Sequence, residues 1–126
     1  MEISGVIESG AGKGAYFTQV AWVVEQCENK LHMTPFPGTL NVRIDDETVQ
    51  MLGEFLRAAD VELVPDDPSF CAARVKKVTV NGISAAVVLP SEDVRIHDNR
   101  TLELIASCNL KKSLDLDDGH TVTISD

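Results

Sequence analysis

Short alternations of apolar and polar residues dominate this chain, and two stretches carry a helical period. Residues 2–8 read as a strand, with Ile3 and Ile7 flanking a bend expected at Gly5. From Thr18 the apolar residues Val20, Val23, Val24, Cys27 and Leu31 recur at helical spacing. That helix ends near residues 32–34, because Pro35 disfavours helix for the residue before it. Residues 39–44 alternate: Leu40, Val42 and Ile44 share one face, and Thr39, Asn41 and Arg43 share the other. A second helix is predicted over 46–59, capped by Asp45 or Asp46, with Val49, Leu52 and Leu56 as its stripe. A brief strand over 61–64, a turn over 65–68 and a long strand over 70–80 follow. Asn81-Gly82 is the strongest two-residue hairpin signal, with the return strand over 83–89. Residues 90–99 form a charged loop and 101–106 another strand. A helical turn over 110–116 and an Asp117-Asp118-Gly119 turn lead into a last strand over 121–125. The pattern predicts one β-rich domain spanning 1–126, a small barrel with two helices packed on it.

Composition narrows the class. The chain has 126 residues, enough for one core without staples, and 44% hydrophobic residues exclude a disordered chain. The formal net charge of -9 weighs against nonspecific nucleic-acid binding and against anionic membranes. Cys27, Cys71 and Cys108 are odd in number and lack zinc spacing, which favours a reduced, cytoplasmic setting. The residues after Met1 are neither basic nor followed by an apolar core, so no signal peptide is expected, and no apolar run reaches membrane-spanning length. His32, His97 and His120 do not cluster, Trp22 and Tyr16 suit packing, and the Lys76-Lys77 and Lys111-Lys112 pairs read as solvated.

Two segments carry candidate chemistry. Gly10, Ala11, Gly12, Lys13, Gly14 and Ala15 put three glycines at alternate positions beside a lysine. The spacing GxGxG fits neither a Walker loop nor a dinucleotide fingerprint. It reads either as turn chemistry or as N–H groups cradling phosphates, with Lys13 as their partner. Pro35-Phe36-Pro37-Gly38-Thr39-Leu40-Asn41 fixes a turn and then sets the Thr39 and Asn41 oxygens side by side. These are either ordinary exposed polar residues or ligands of a magnesium ion completed by nucleotide phosphates. Glu103, in the apolar stretch Leu102-Glu103-Leu104-Ile105, is either solvent-facing or an acceptor for a substrate donor, and a weak candidate for a base. Cys108, Asn109, Leu110 and Lys111 open the helical turn; they bind a base or phosphate, or simply follow a cap at Ser107 or Asn109.

The order of these segments resembles the archaeal-type CTP-dependent riboflavin kinases across essentially the whole chain. That family shows G-x-G-x-G-x-(Y/F)-(F/Y), then P-(F/Y)-x-G-T-L-N, an (I/L)-E-(I/L)-I-A strand, an N-L-(R/K) turn and D-G-D-x-V-x-(I/V). The matching residues are 10–17, 35–41, 102–106, 109–111 and 118–124. The resemblance implies a cradle-loop β-barrel with two to three short helices. It implies magnesium-dependent transfer of the terminal phosphoryl of CTP to the ribityl 5′-hydroxyl of riboflavin, giving FMN and CDP. It assigns nucleotide contacts to residues 10–15 and 108–111, magnesium to Thr39 and Asn41, and flavin to Glu103. The expected partners are CTP/CDP and riboflavin/FMN, with no nucleic acid or membrane, for a monomeric protein.

The chain departs from that pattern at four points. Ile96 falls where a flavin-contacting threonine is usual, with Ser91 or Thr101 as substitutes, and the loop around it differs in length. His120 replaces the usual aspartate, and Lys13 stands where an acid is common. The rival readings are a non-catalytic nucleotide- or flavin-sensing domain on the same barrel, and a ligand-free interaction module. The last leaves both the glycine segment and PFPGTLN unexplained.

Overall fold

The computed structural model describes residues 1–9, 18–59, 61–66, 72–90 and 100–126. Among the described residues, the seven strands are β1 (Glu2–Glu8), β2 (Leu40–Ile44), β3 (Val61–Leu63), β4 (Ala73–Val80), β5 (Ile83–Pro90), β6 (Thr101–Ile105) and β7 (Thr121–Ser125). Three short helices are α1 (Ala21–Gln26), α2 (Leu52–Arg57) and α3 (Leu110–Leu114). Every strand pairing is antiparallel, in the order β3-β4-β5-β6-β2-β1-β7. A further pairing of β4 with β7 closes six strands into a barrel, while β3 extends β4 at its other end. The fold is the small, mainly β barrel that the pattern predicts, and its three short helices among the described residues fall within the two to three that the resemblance implies. Among the described residues, no helix is long and apolar enough to cross a membrane.

Alternation fills the barrel. Ile3 and Ile7 of β1, Leu40, Val42 and Ile44 of β2, Leu102 and Leu104 of β6, and Val122 and Ile124 of β7 point inward. Leu52, Phe55 and Leu56 of α2 join the same core. A second cluster lies on the outer wall, where Trp22, Val23, Cys27 and Leu31 cover Val75, Ala86, Val88 and Ile105. Strands β4 to β6 are therefore apolar on both faces where α1 lies over them. Burial at about 25 cal/mol per Å² makes such double-faced packing the main stabilising term.

Several expectations change in detail. Gly5 lies within the continuous β1 strand. Its function is close approach: a Cβ there would sit 2.4 Å from the Arg43 carbonyl oxygen of β2. Helix α1 begins at Ala21, not Thr18, because the buried Thr18 hydroxyl accepts the Gly38 N–H at 2.8 Å. Its last turn widens to a π turn over Cys27–Leu31 and stops at His32 with φ 54°. Before α2, Asp45 accepts the Thr48 N–H at 3.1 Å and holds a separate turn, then Val49–Met51 forms one 3-10 turn. The hairpin is as predicted, with positive φ at Asn81 and Gly82. The glycine segment 10–17, much of the 65–68 turn, Cys71, and the 91–99 loop with Ser91, Ile96 and His97 lie outside the described residues.

The Lys76-Lys77 pair is not solvated as a unit. Lys76 is 6% exposed. Its ammonium donates to the Phe55 carbonyl at 2.6 Å, pairs with Asp126 at 2.9 Å and lies 3.9 Å from the Phe55 ring centroid. It thereby satisfies a carbonyl of α2 and ties that helix to β4 and to the end of β7. The Met1 ammonium, bonded at 2.9 Å, and Lys76 together pull the Asp126 carboxyl down to about 2. Lys76→Met should cost about 1–3 kcal/mol, since it leaves the Phe55 carbonyl unpaired; urea melts at pH 7 read this, and an unchanged midpoint would contradict it. The sign for Asp126 follows from its depressed pKa: the stability it adds is complete above about pH 4 and is lost as pH falls through about 2. The gap between the native chain and Asp126→Asn should close over that acid range in melts followed by circular dichroism.

Candidate functional site

The PFPGTLN turn and the start of α3 face each other across one cleft at a barrel mouth. Phe36, Gly38 and Thr39 line one wall, and Cys108, Asn109 and Lys111 line the other, around a cavity volume of about 180 Å³. The Phe36 N–H donates to the Ala106 carbonyl at 2.7 Å, which fixes the distance between the walls. Gly38, at φ 118°, takes a backbone conformation that side-chain-bearing residues rarely adopt, so the turn depends on glycine there. Phe36 is 42% exposed, leaving an aromatic face at the rim.

The described residues on either side of the glycine segment are tied to this cleft. Ser9, just before it, donates from its hydroxyl to the Asp118 carboxylate, and Lys111 pairs with the same carboxylate at 2.6 Å. These two bonds, the lysine's first, hold the Asp118 carboxyl below the ordinary range. Thr18, just after the segment, anchors the PFPGTLN turn through Gly38. Residues 108–111 and the turn thus come together, and the flanking residues Ser9, through Asp118, and Thr18, through Gly38, link to them.

The plain structural roles are also filled. Asn109 caps α3, its side-chain oxygen accepting the Lys112 N–H at 3.2 Å. His120, standing for an aspartate, accepts the Asp117 N–H on Nδ1 at 2.9 Å, a bond a carboxylate can also make. Lys111 is ion-paired, not simply solvated.

Asn41 and Glu103 are register partners across β2 and β6. Directly opposed antiparallel residues carry Cβ atoms about 4.5–5.5 Å apart, so the amide and the carboxylate share one patch of outer wall. Thr39 emerges on the same face, toward the cleft. Asn41 also faces Glu8 of β1 on its other side. Glu8 is half-buried and accepts the Thr101 hydroxyl at 2.7 Å. Glu8 and Thr101 escaped notice as a pair because nothing local joins them. The alternation of β1 against β2 is the signal that could have found Glu8.

Among the described residues, no three His, Cys, Asp or Glu side chains gather as a metal cluster. Thr39, just before β2, and Asn41, on it, supply two neutral oxygens. That set fits a hard cation that keeps several ligands from a bound phosphate and water.

Residues 7–125 match the family model CTP-dep_RFKase, described as a domain of unknown function, DUF120. The chain belongs to the CTP-dep_RFKase family. A protein named riboflavin kinase from Methanoculleus marisnigri is 34% identical over 125 residues, covering 97% of this chain and 55% of its own length. One of the same name from Methanobrevibacter smithii is 31% identical over 125 residues, covering 98% of both chains. Another, from Archaeoglobus fulgidus, is 33% identical over 132 residues, or 98% of this chain and 54% of its own length. This chain therefore spans about half the length of most of the curated relatives it matches, and nearly all of the Methanobrevibacter one.

Thiol chemistry separates the cleft from the core. Burial, then the nearby Glu28 charge, push the Cys27 thiol up to about 11, whereas Cys108 is partly exposed on the cleft wall. In a Cys71→Ser protein at pH 8, Ellman's reagent should titrate one fast thiol, lost in Cys108→Ser, and reach Cys27 only on unfolding. Equal rates at both thiols would contradict the assigned burial.

Proposed function

We propose that this chain transfers the terminal phosphoryl of CTP to the 5′-hydroxyl of riboflavin, giving FMN and CDP. One observation carries the reading: the PFPGTLN turn, with Thr39 in it, and residues 108–111, far apart in sequence, form one cleft at the start of the strand that bears Asn41. Family membership supports the same chemistry. The proposed setting is the cytoplasm, with magnesium as the metal.

Phosphoryl transfer needs positioning and charge stabilisation more than covalent help. In this reading Cys108, Asn109, Leu110 and Lys111 hold the nucleotide, and the exposed Phe36 ring offers a face for its base. Gly10, Ala11, Gly12, Lys13, Gly14 and Ala15 are proposed to contact its phosphates, from the resemblance alone. Thr39 and Asn41 would hold magnesium, which when bound neutralises phosphate charge. The acceptor hydroxyl oxygen bonds to the terminal phosphorus, the bond to the CDP oxygen breaks, and the hydroxyl proton leaves. Glu103, paired with Asn41 across β6 and β2, is proposed to bind the flavin and is the candidate for taking that proton.

The direct test is incubation with riboflavin, magnesium and each nucleoside triphosphate in turn, with FMN separated by chromatography. FMN should form with CTP and far less with ATP. If Mg·CTP binds but no FMN forms, the chain is a nucleotide sensor or acts on another acceptor. Asn41→Ala and Thr39→Val should each lower turnover at least tenfold while shifting the melting temperature little. Full activity in both would remove the metal assignment. Glu103→Ala should weaken riboflavin binding by about one to two powers of ten, as expected when a donor on the ligand loses a charged acceptor. Quenching of riboflavin fluorescence at saturating CDP and magnesium measures it.

A further inference from the structure

Three strands bring Glu8, Asn41 and Glu103 into one transverse row. Glu8 pairs in register with Asn41 on β1 and β2, and Asn41 pairs with Glu103 on β2 and β6. Each lies beside inward-facing core residues: Ile7 next to Glu8, Leu40 and Val42 around Asn41, and Leu102 and Leu104 around Glu103. Alternation therefore sends all three side chains to the outer face. Adjacent strands lie 4.7–4.9 Å apart, so the two carboxylate-bearing backbones flank Asn41 at about 10 Å from one another.

The order of rows along the face matters. Thr39, on the cleft wall, comes first. The Glu8, Asn41 and Glu103 row comes second. Arg43, whose register partners are Val6 and Thr101, comes third, on the far side from the cleft. Beyond Lys111 on the cleft wall, a phosphate chain running along Thr39 and Asn41 meets two carboxylates before it reaches Arg43. Among the described residues the ion-paired cations Lys76, Arg100 and Lys111 are engaged by Asp126, Asp46 and Asp118, and neither Glu8 nor Glu103 has an ion pair. The Thr101 hydroxyl holds Glu8 in place without neutralising it.

We infer that Glu8, with Glu103, makes nucleotide binding at this site conditional on a divalent cation, by setting two fixed negative charges on either side of Asn41. The inference rests on the proposed nucleotide and magnesium site. Metal-free triphosphate is repelled by both carboxylates. The same two charges attract the cation, so the penalty becomes a gain once phosphate and metal arrive together. Such coupling is reciprocal: the cation raises nucleotide affinity by the factor by which the nucleotide raises cation affinity. Glu8 is a positioning residue for charge and touches no reacting atom.

The measurement is the ratio of CTP dissociation constants in EDTA and in saturating magnesium, by calorimetry on the full chain at low salt. Glu8→Gln keeps an oxygen for the Thr101 hydroxyl and removes only the charge. It should tighten metal-free CTP binding by about three- to tenfold and shrink the ratio accordingly. Glu8→Gln with Glu103→Gln should shrink it further. Thr101→Val, which leaves the charge, should not change it by more than about twofold. In the native chain the ratio should fall as salt rises. Matching melting curves exclude a folding effect. A ratio unchanged in Glu8→Gln, or equal losses with and without magnesium, overturns the inference while leaving the site intact. Absence of any Mg·CTP binding to the native chain overturns the site itself, and the inference with it.

Discussion

Two residue pairs close the barrel: Thr79 with Ser125, and Val80 with Ile124. Without that seam, β4 and β7 would be open edges with unpaired backbone groups, and the inward side chains of six strands would have no common interior. The seam is short because β4 divides one of its edges between β3 and β7. The hairpin tip reinforces it. Asn81 gives its backbone N–H to the Thr123 carbonyl at 2.9 Å and receives the Thr123 N–H on its side-chain oxygen at 2.8 Å. A turn residue thus extends the ladder past the last strand pair. Lys76 does similar work inside the barrel, joining α2 to the end of β7.

Closure also explains where the cleft lies. With the strands locked in register, the start of β2 and the end of β6 meet at one mouth, and each continues into a rigid turn. The turn after β6 is capped by Asn109, and the turn before β2 is held by Thr18. The polar row on the outer wall follows from the same register. Nothing in this arrangement needs a large conformational change to bring Thr39 near residues 108–111, so the cleft is preformed among the described residues.

Local chemistry made much of this legible beforehand. Asn81-Gly82 fixes a hairpin wherever it is found, and the alternation of Leu40, Val42 and Ile44 could only be a one-face-buried strand. What stayed hidden depended on distant partners. Lys76 looked like half of a solvated pair because its stabilisation comes from Phe55 and Asp126. Thr18 resembled a helix start because its buried partner, the Gly38 N–H, lies in another turn. Gly5 suggested a bend, whereas the constraint is the Arg43 carbonyl of the neighbouring strand. Motif order singled out Thr39, Asn41 and residues 108–111 as candidates, but the opposition of Glu8 to Asn41 required the β1–β2 register.

The pairing of β1 with β7 has a kinetic side. Glu2 and Ser125 are partners, and their side chains bond at 3.0 Å across a sequence separation of 123 residues. The β4–β5 hairpin, by contrast, closes over a two-residue turn. Loop-closure entropy rises with the logarithm of the chain enclosed, so the hairpin is cheap to form early and the β1–β7 ladder is among the costliest contacts. Topologies dominated by such long-range pairs fold slowly for their size. Residue 8 lies on β1, one strand of that ladder, and residue 41 on the neighbouring β2. The polar row itself needs only the β1–β2 and β2–β6 pairings, whose closing loops are shorter, so its entropic cost is lower than that of the β1–β7 ladder.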